Sequence, residues 1–317
     1  MSDIFEQMTV DEQKAWWREQ AAIACNRLAL TDARLEFISY SHHAVFKVFA
    51  DGEVFILKIA SIQHGSQLKS EHDILKVLSN VAHPLKLIEI TESVAMLLSF
   101  VTGDTIDAQL VSTEQIQNIG SFLANFHQVD TNMLDSPIKR LDWNGLYAKS
   151  GVYHPTDEHM TVFTNEQLSI IERVTEKVQI AMDELRQGDN EFGLIHGDLL
   201  LKNILFHNDD IHALDFEYCG WGYYLYDLTP LLWQLKPQAR YPQLEDALWQ
   251  GYTSIRPLTG QHRNLLETLI AGRQVASMYW VVSNQQNPYI VGKVEAILAQ
   301  RTFELATFLD TGHLSRQ

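Results

Sequence analysis

Apolar and polar positions change period several times along this chain, and each change marks an element. From Thr9 to about Leu30 the spacing is helical, and Thr9 and Glu12 stand at the separation of a capping box that opens the helix. Ala33–Tyr40 and Ala44–Ala50 then alternate apolar and polar residues, as half-buried strands do. Asp51-Gly52 joins the second of these to Glu53–Ala60 as a hairpin turn. Helical spacing returns over Ser66–Ser79, with Leu68, His72, Leu75 and Leu78 on one face. Two more strands are expected near Leu85–Ile90 and Val94–Phe100. The pattern up to Val101 is thus a five-stranded, mostly antiparallel sheet with one helix inserted after its third strand.

Beyond Val101-Thr102-Gly103 the spacing is mainly helical. Ser112 and Gln115 form a second capping-box pattern at the head of Ser112–Val129, and Thr164 and Gln167 form a third, opening a helix to about Gln187. Leu194–Tyr218 breaks the helical run with short strands turned at Asn208-Asp209-Asp210, and four helices are expected from Tyr224 onward. This is an α+β chain in two lobes: a β-rich lobe over residues 1–101 and a larger helical lobe over residues 102–317.

Composition narrows the function. The length of 317 residues suits two lobes, and 46% hydrophobic with 20% charged residues is the balance of a folded chain. A formal net charge of −16 argues against a nucleic-acid partner, and it mildly favours cationic or metal-bound ligands. Cys25 and Cys219 form no Cys-x-x-Cys pair, so neither a zinc ribbon nor a disulfide framework is expected, and a reduced cytoplasmic setting fits. The acidic start of the chain lacks the apolar segment of a signal peptide, and no stretch reaches the ~18 apolar residues of a membrane span.

The chemistry concentrates in Leu194–Tyr218. Asp198, Asn203 and Asp215 sit there among Leu, Ile and Phe, where each polar group must find hydrogen bonds or a cation. One amide oxygen and one carboxylate, from Asn203 and Asp215, suit magnesium, which takes few protein ligands and leaves room for phosphate oxygens. Asp198 is then free to orient a hydroxyl nucleophile. The spacing resembles the protein-kinase pattern of a catalytic Asp, an Asn five residues on, and a later metal-binding Asp. That arrangement also needs a lysine on the third strand and a glutamate on the following helix. Lys58 and Glu71 stand in those places.

"HGDLLLKNIL" (196–205), "LDFEY" (214–218), "LYDLTPLL" (225–232) and "IGSFLANFHQV" (119–129) together resemble the aminoglycoside phosphotransferase and choline kinase family, with Gly197 where protein kinases have Arg. The resemblance spans roughly residues 34–235. It implies a bilobal protein-kinase-like fold. It implies transfer of the ATP γ-phosphoryl group, with Mg2+, to a hydroxyl of a small molecule such as an amino alcohol, aminoglycoside, amino acid or sugar. Carried over by position, Asp198 is the catalytic base, Asn203 and Asp215 bind magnesium, and Lys58, held by Glu71, binds phosphate. Leu98–Val101 becomes the hinge at adenine, so Ser99 and Val101 join the nucleotide site. The loop Ile38–His43 departs from the family in having no glycine, so phosphate cover falls to backbone amides and to hydroxyls such as that of Ser41. Leu200-Leu201-Lys202 replaces the family's usual His-Pro-Gly, and Glu217 follows the Asp-Phe pair as it does in choline and ethanolamine kinases.

Blander readings stand beside these. His196 reads as a packed histidine, and Asp227 as a helix N-cap or a buried brace to the catalytic loop. Arg273, on an otherwise apolar helix, reads as salt-bridged within the helical lobe. Lys202 either meets a phosphate or points to solvent. Trp221, Tyr223, Tyr224 and Tyr226 are either core or a ligand cage; in the second case they and Glu217 favour a cationic acceptor. A protein Ser/Thr kinase is a rival, weakened by the lack of an Ala-Pro-Glu segment and by the short interval from Asp215 to Asp227. A pseudokinase interaction module is another, weakened by retention of all five polar residues. A P-loop kinase is excluded, since no Gly-x-x-x-x-Gly-Lys-[Ser/Thr] occurs.

Overall fold

The structure is a computed structural model, which describes residues 8–40, 43–78, 81–132, 134, 138–185, 188, 190–208, 210–287 and 289–315. The chain forms two compact units. One runs to Gly103 and includes the short segment from Asn132; the other comprises Asp104–Thr131 and Ile138 onward.

In the first unit, helix α1 (Val10–Arg27) starts where Thr9 accepts from the Glu12 amide and the Glu12 carboxylate accepts from the Thr9 amide. Strands β1 (Arg34–Tyr40), β2 (His43–Ala50) and β3 (Glu53–Ser61) follow, then α2 (Gly65–Leu75), β4 (Pro84–Glu89) and β5 (Ser93–Ser99). The sheet order is β1-β2-β3-β5-β4, antiparallel at every pair. Asp51 and Gly52 both have positive φ (54° and 80°), the backbone that a two-residue hairpin turn requires. One face of the sheet, through Ala44, Phe46, Val48, Leu57, Ile59, Ala95 and Leu97, packs with Trp17, Ala21, Ala24 and Cys25 of α1 into a single apolar core. Successive side chains on a strand point to opposite faces. Lys58, between Leu57 and Ile59, therefore points away from that core.

The buried stripe of α2 is Gly65, Leu68, Glu71, Ile74 and Leu75. The expected face had placed His72 and Leu78 inward. His72 is half-buried; Leu78 is buried as expected, although the helix ends before it, at Leu75. The stripe includes Glu71 because its carboxylate has a cation to meet.

The second unit holds α3 (Thr113–Phe126), capped by Ser112 and Gln115 as expected, and α6 (Asn165–Leu185), capped by reciprocal bonds between Thr164 and Gln167. Between them lie β6 (Arg140–Leu141), α4 (Trp143–Tyr147) and α5 (Asp157–Met160), all too short for periodicity to reveal. Strands β7 (Phe192–Ile195), β8 (Ile204–His207), β9 (Asp210–Ala213) and β10 (Gly220–Tyr223) form two small sheets, β6-β10-β7 and β8-β9. The final helices are α7 (Tyr224–Asp227), α8 (Thr229–Leu235), α9 (Tyr241–Thr253), α10 (Gly260–Ser283) and α11 (Val294–Thr311). Among the described residues these are five, not the four expected. Pro230 sits in the first turn of α8, where a missing amide is tolerated. Helix α10 is buried on almost every side from Leu269 to Met278, and Arg273 and Gln274 are the long polar side chains inside that stretch. Among the described residues no helix is long and apolar enough to cross a membrane.

Candidate active site

In the first unit, the Lys58 ammonium lies 2.8 Å from both carboxylate oxygens of Glu71. The two residues are 4% and 3% exposed. The strand-to-helix pairing expected from sequence is therefore made, and both charges are taken out of water together. Removing either partner leaves the other buried and uncompensated, whereas removing both does not. Lys58→Met and Glu71→Leu should accordingly be non-additive in unfolding free energy, with a coupling of about 1–3 kcal/mol. A double-mutant cycle by urea denaturation reads this directly, and additive losses would mean that the pair is not formed in solution.

Ser99 is half-buried at the end of β5. Its hydroxyl accepts from the His83 amide at 2.8 Å, and its own amide donates to the His83 carbonyl at 2.9 Å, so its side chain fixes the edge of the sheet. Val101 follows, half-buried and outside any strand. Ser41 lies outside the described residues.

In the second unit, β7 delivers the chain into the loop His196–Leu200. Gly197 has φ +79°, and a Cβ there would stand 2.6 Å from the Tyr218 carbonyl oxygen. Both facts exclude an ordinary side chain, which accounts for glycine between His196 and Asp198. Asp227, fully buried, holds this loop from below: the His196 amide donates to one carboxylate oxygen (2.8 Å) and the Gly197 amide to the other (2.7 Å). His127 Nε2 donates to the same carboxylate at 3.0 Å. Of the two bland readings of Asp227, the brace is correct. Asp227 ends α7 instead of starting a helix. His196 is packed as expected: Nε2 meets the Leu214 carbonyl (3.0 Å), Nδ1 accepts from the Asp198 amide (3.3 Å), and the ring lies 4.7 Å from that of Phe216.

Asp198, Asn203 and Asp215 are drawn together by backbone bonds. The Asn203 side-chain amide donates to the Asp198 carbonyl at 2.9 Å, which leaves its amide oxygen for a cation. The Leu214 amide donates to the Asn203 carbonyl at 2.8 Å, placing Asp215 beside Asn203. Asp215 itself has φ 63° and ψ 70°, a left-handed conformation unusual for a residue with a side chain. Strain of this kind is tolerated where the surroundings fix it and is common at functional sites. The amide oxygen and the carboxylate are hard oxygen donors, a set that suits Mg2+. Lys202 is exposed.

The residue that sequence reasoning missed is Arg273. The expectation of an ion pair within the helical part is met, but the partner is Asp198 itself. Arg273 is 8% exposed, its Nε has no hydrogen-bond partner, and its guanidinium lies 5.9 Å from the Tyr153 ring centre and 5.4 Å from that of Trp233. Burial pushes the Asp198 carboxyl above the ordinary carboxylate range, with the Arg273 guanidinium pulling the other way. The one signal available in the sequence was a lone arginine in an otherwise apolar helix.

Three of the four clustered aromatics are core, and Trp221 is half-buried in β10. Tyr223, Tyr224 and Tyr226 are 3%, 7% and 0% exposed, and Tyr224 stacks on His127 with ring centres 4.5 Å apart. They form no cage for an ammonium group. Glu217 is buried in the turn Phe216–Tyr218, and its backbone carbonyl accepts from Lys139 at 2.6 Å.

The sequence profile of the phosphotransferase enzyme family matches residues 35–263. The chain belongs to this family. Over 87 residues it is 33% identical to a homoserine kinase of Gluconobacter oxydans, and over 94 residues it is 29% identical to ethanolamine kinase 2 of Rattus norvegicus. These matches cover 26% and 27% of this chain and span only 28% and 24% of those proteins. Among solved structures, a microcompartment-associated aminopropanol kinase superposes with a TM-score of 0.74 at 20% identity, over 93% of this chain and 99% of the other. An amicoumacin kinase in complex with AMP-PNP and Ca2+ superposes with a TM-score of 0.73 at 18% identity, over 97% and 98%. The protein-kinase-like fold expected from the motifs is thus the fold of the chain, with the antiparallel sheet at the N-terminal end and the helices after it.

Proposed function

We propose that this protein transfers the γ-phosphoryl group of ATP to a hydroxyl of a small molecule, in a magnesium-dependent reaction. The observation that carries the reading is the Asp198 loop: a carboxylate held by its backbone to Asn203, braced from below by Asp227, and set beside Asp215. The buried Lys58–Glu71 pair supports it, being the phosphate-binding pair that such a reaction needs. Relatives named as homoserine and ethanolamine kinases and a neighbour in complex with AMP-PNP agree with it. The acceptor class is drawn from amino alcohols, aminoglycosides, amino acids and sugars.

In this reaction the acceptor oxygen bonds to the γ-phosphorus as the bond from that phosphorus to ADP breaks. Asp198 orients the hydroxyl and receives its proton. Lys58, kept in place by Glu71, takes phosphate oxygens. Asn203 and Asp215 would hold magnesium, which when bound neutralises charge on the phosphates. Little covalent chemistry is left for the protein; positioning and electrostatics supply the rate.

The test is a phosphate-transfer screen with ATP across those acceptor classes, followed by magnesium titration of the active reaction. Asp215→Asn should raise the magnesium needed for half-maximal rate by about tenfold, within the 10–100-fold range of disturbed metal sites. Asn203→Ala should raise it less. An unchanged magnesium dependence in Asp215→Asn would overturn the metal assignment.

A further inference from the structure

We propose that the phosphate acceptor is a small hydroxy acid, whose carboxylate is held by Arg273 while its hydroxyl lies against Asp198. The proposal rests on the transfer reaction above and narrows its substrate.

Arg273 and Asp198 are in direct contact, and their side chains keep 10% and 15% of their surface open. A hydroxyl within hydrogen-bond reach of Asp198 therefore brings the next few atoms of its molecule up to the guanidinium. A guanidinium carries five N–H donors in a planar fork that matches a carboxylate. Arg273 spends a single hydrogen bond on Asp198, and Asp198 is the only carboxylate paired with it among the described residues. Buried donors without an acceptor are costly, and a substrate carboxylate satisfies them with charge-assisted bonds.

The surroundings point the same way. Tyr153 and Trp233 already offer their ring faces to the Arg273 cation. A substrate ammonium placed there would meet a like charge where a cage would need open rings. Tyr153 and Tyr218 are kept protonated, their hydroxyls pushed well above the usual tyrosine range by burial, so they add neutral dipoles and no anion. This differs from the cationic expectation drawn from the acidic composition: Asp215 adds a negative charge near Asp198, but the group in direct contact with Asp198 is the Arg273 cation. The reaction is unchanged in its balance. The hydroxy acid's oxygen gains the γ-phosphoryl group, ADP leaves, and the hydroxyl proton passes to Asp198.

The experiment compares acceptors that differ only by the carboxylate: serine with ethanolamine, homoserine with 3-aminopropan-1-ol, and glycerate with ethylene glycol. Phosphate transfer from ATP is measured on the parent and on Arg273→Lys and Arg273→Gln. The expected result is at least a tenfold preference in kcat/KM for the acid in one or more pairs. Arg273→Gln should erase that preference mainly through the KM of the acid, with the KM for ATP unchanged, and Arg273→Lys should restore part of it. A residue that merely steadied Asp198 would lower kcat on both members of a pair alike and leave the preference standing; that result overturns the proposal. Equal or better use of the decarboxylated member in every pair overturns it with the parent protein alone. Magnesium-dependent ATP turnover with no transfer to any acid also overturns it, while leaving the phosphotransferase reading intact. Absence of any ATP turnover removes both.

Discussion

Asp198→Asn should abolish most phosphate transfer while leaving the protein folded. A positioned acid–base group is typically worth ~10²–10⁴-fold, and the expected loss in kcat lies in that range. The geometry explains why so small a change suffices. The contacts that shape the loop come from the Asp198 backbone: its carbonyl accepts from Asn203, and its amide donates to His196 Nδ1. Both survive in the asparagine variant. What is lost is the carboxylate's capacity to take a proton, and the counter-charge of a buried arginine. The second loss carries a stability penalty, because an uncompensated buried cation is expensive. The double variant Asp198→Asn/Arg273→Gln separates the two effects. It should recover stability in urea denaturation and recover none of the transfer rate. A single variant that transfers phosphate at near the parent rate would remove Asp198 from the reaction.

The legible parts of this site share one property: their signals are local. Three capping boxes, the Asp51-Gly52 turn and the Asp198–Asn203–Asp215 spacing each lie within a short stretch of chain. Lys58 and Glu71, thirteen residues apart, sit on consecutive elements whose periods were clear. Arg273 was not legible because it reaches Asp198 across 75 residues, from a helix buried on almost all sides. Such a helix has no polar face, so periodicity says nothing of where one arginine points. For the tyrosines after Cys219, the core reading holds over the cage reading. β10 is paired on both edges, to β6 and β7, so the next residues enter the core regardless of their capacity to bind a cation. The left-handed backbone of Asp215 is set by its neighbours in the fold, and an aspartate in sequence does not announce it.

Asp227→Ala should be the most destabilising single change in the second unit. Its carboxylate, fully buried, accepts from the His196 and Gly197 amides and from His127 Nε2. Hydrogen bonds to a charged acceptor contribute about 1.5–3 kcal/mol each, so the loss should reach about 5 kcal/mol, with three donors left unpaired in the interior. Asp227→Asn tests the chemistry more finely. It keeps the shape, but its amide nitrogen must face one of the two backbone N–H groups, so it should lose about half as much. The pH dependence follows from the same group. Burial pushes His127 below the usual histidine range, outweighing the pull of Asp227, and Tyr252 donates to its Nδ1 at 2.8 Å, which fits a neutral ring. Burial alone would raise the Asp227 carboxyl, but the bonds from His127 and the loop amides hold it below the ordinary value of 3.8. Both folded values are depressed, so both groups contribute stability that is lost toward acid. The unfolded chain protonates His127 below the ordinary histidine value of 6.5 and the folded chain does not, so the loss begins there; the Asp227 share follows below 3.8. His127→Gln should therefore flatten the fall in unfolding free energy between pH 6.5 and the acid range relative to the parent. An equally steep fall in that variant would mean that His127 is charged in the fold and that the Asp227 brace is an ion pair instead.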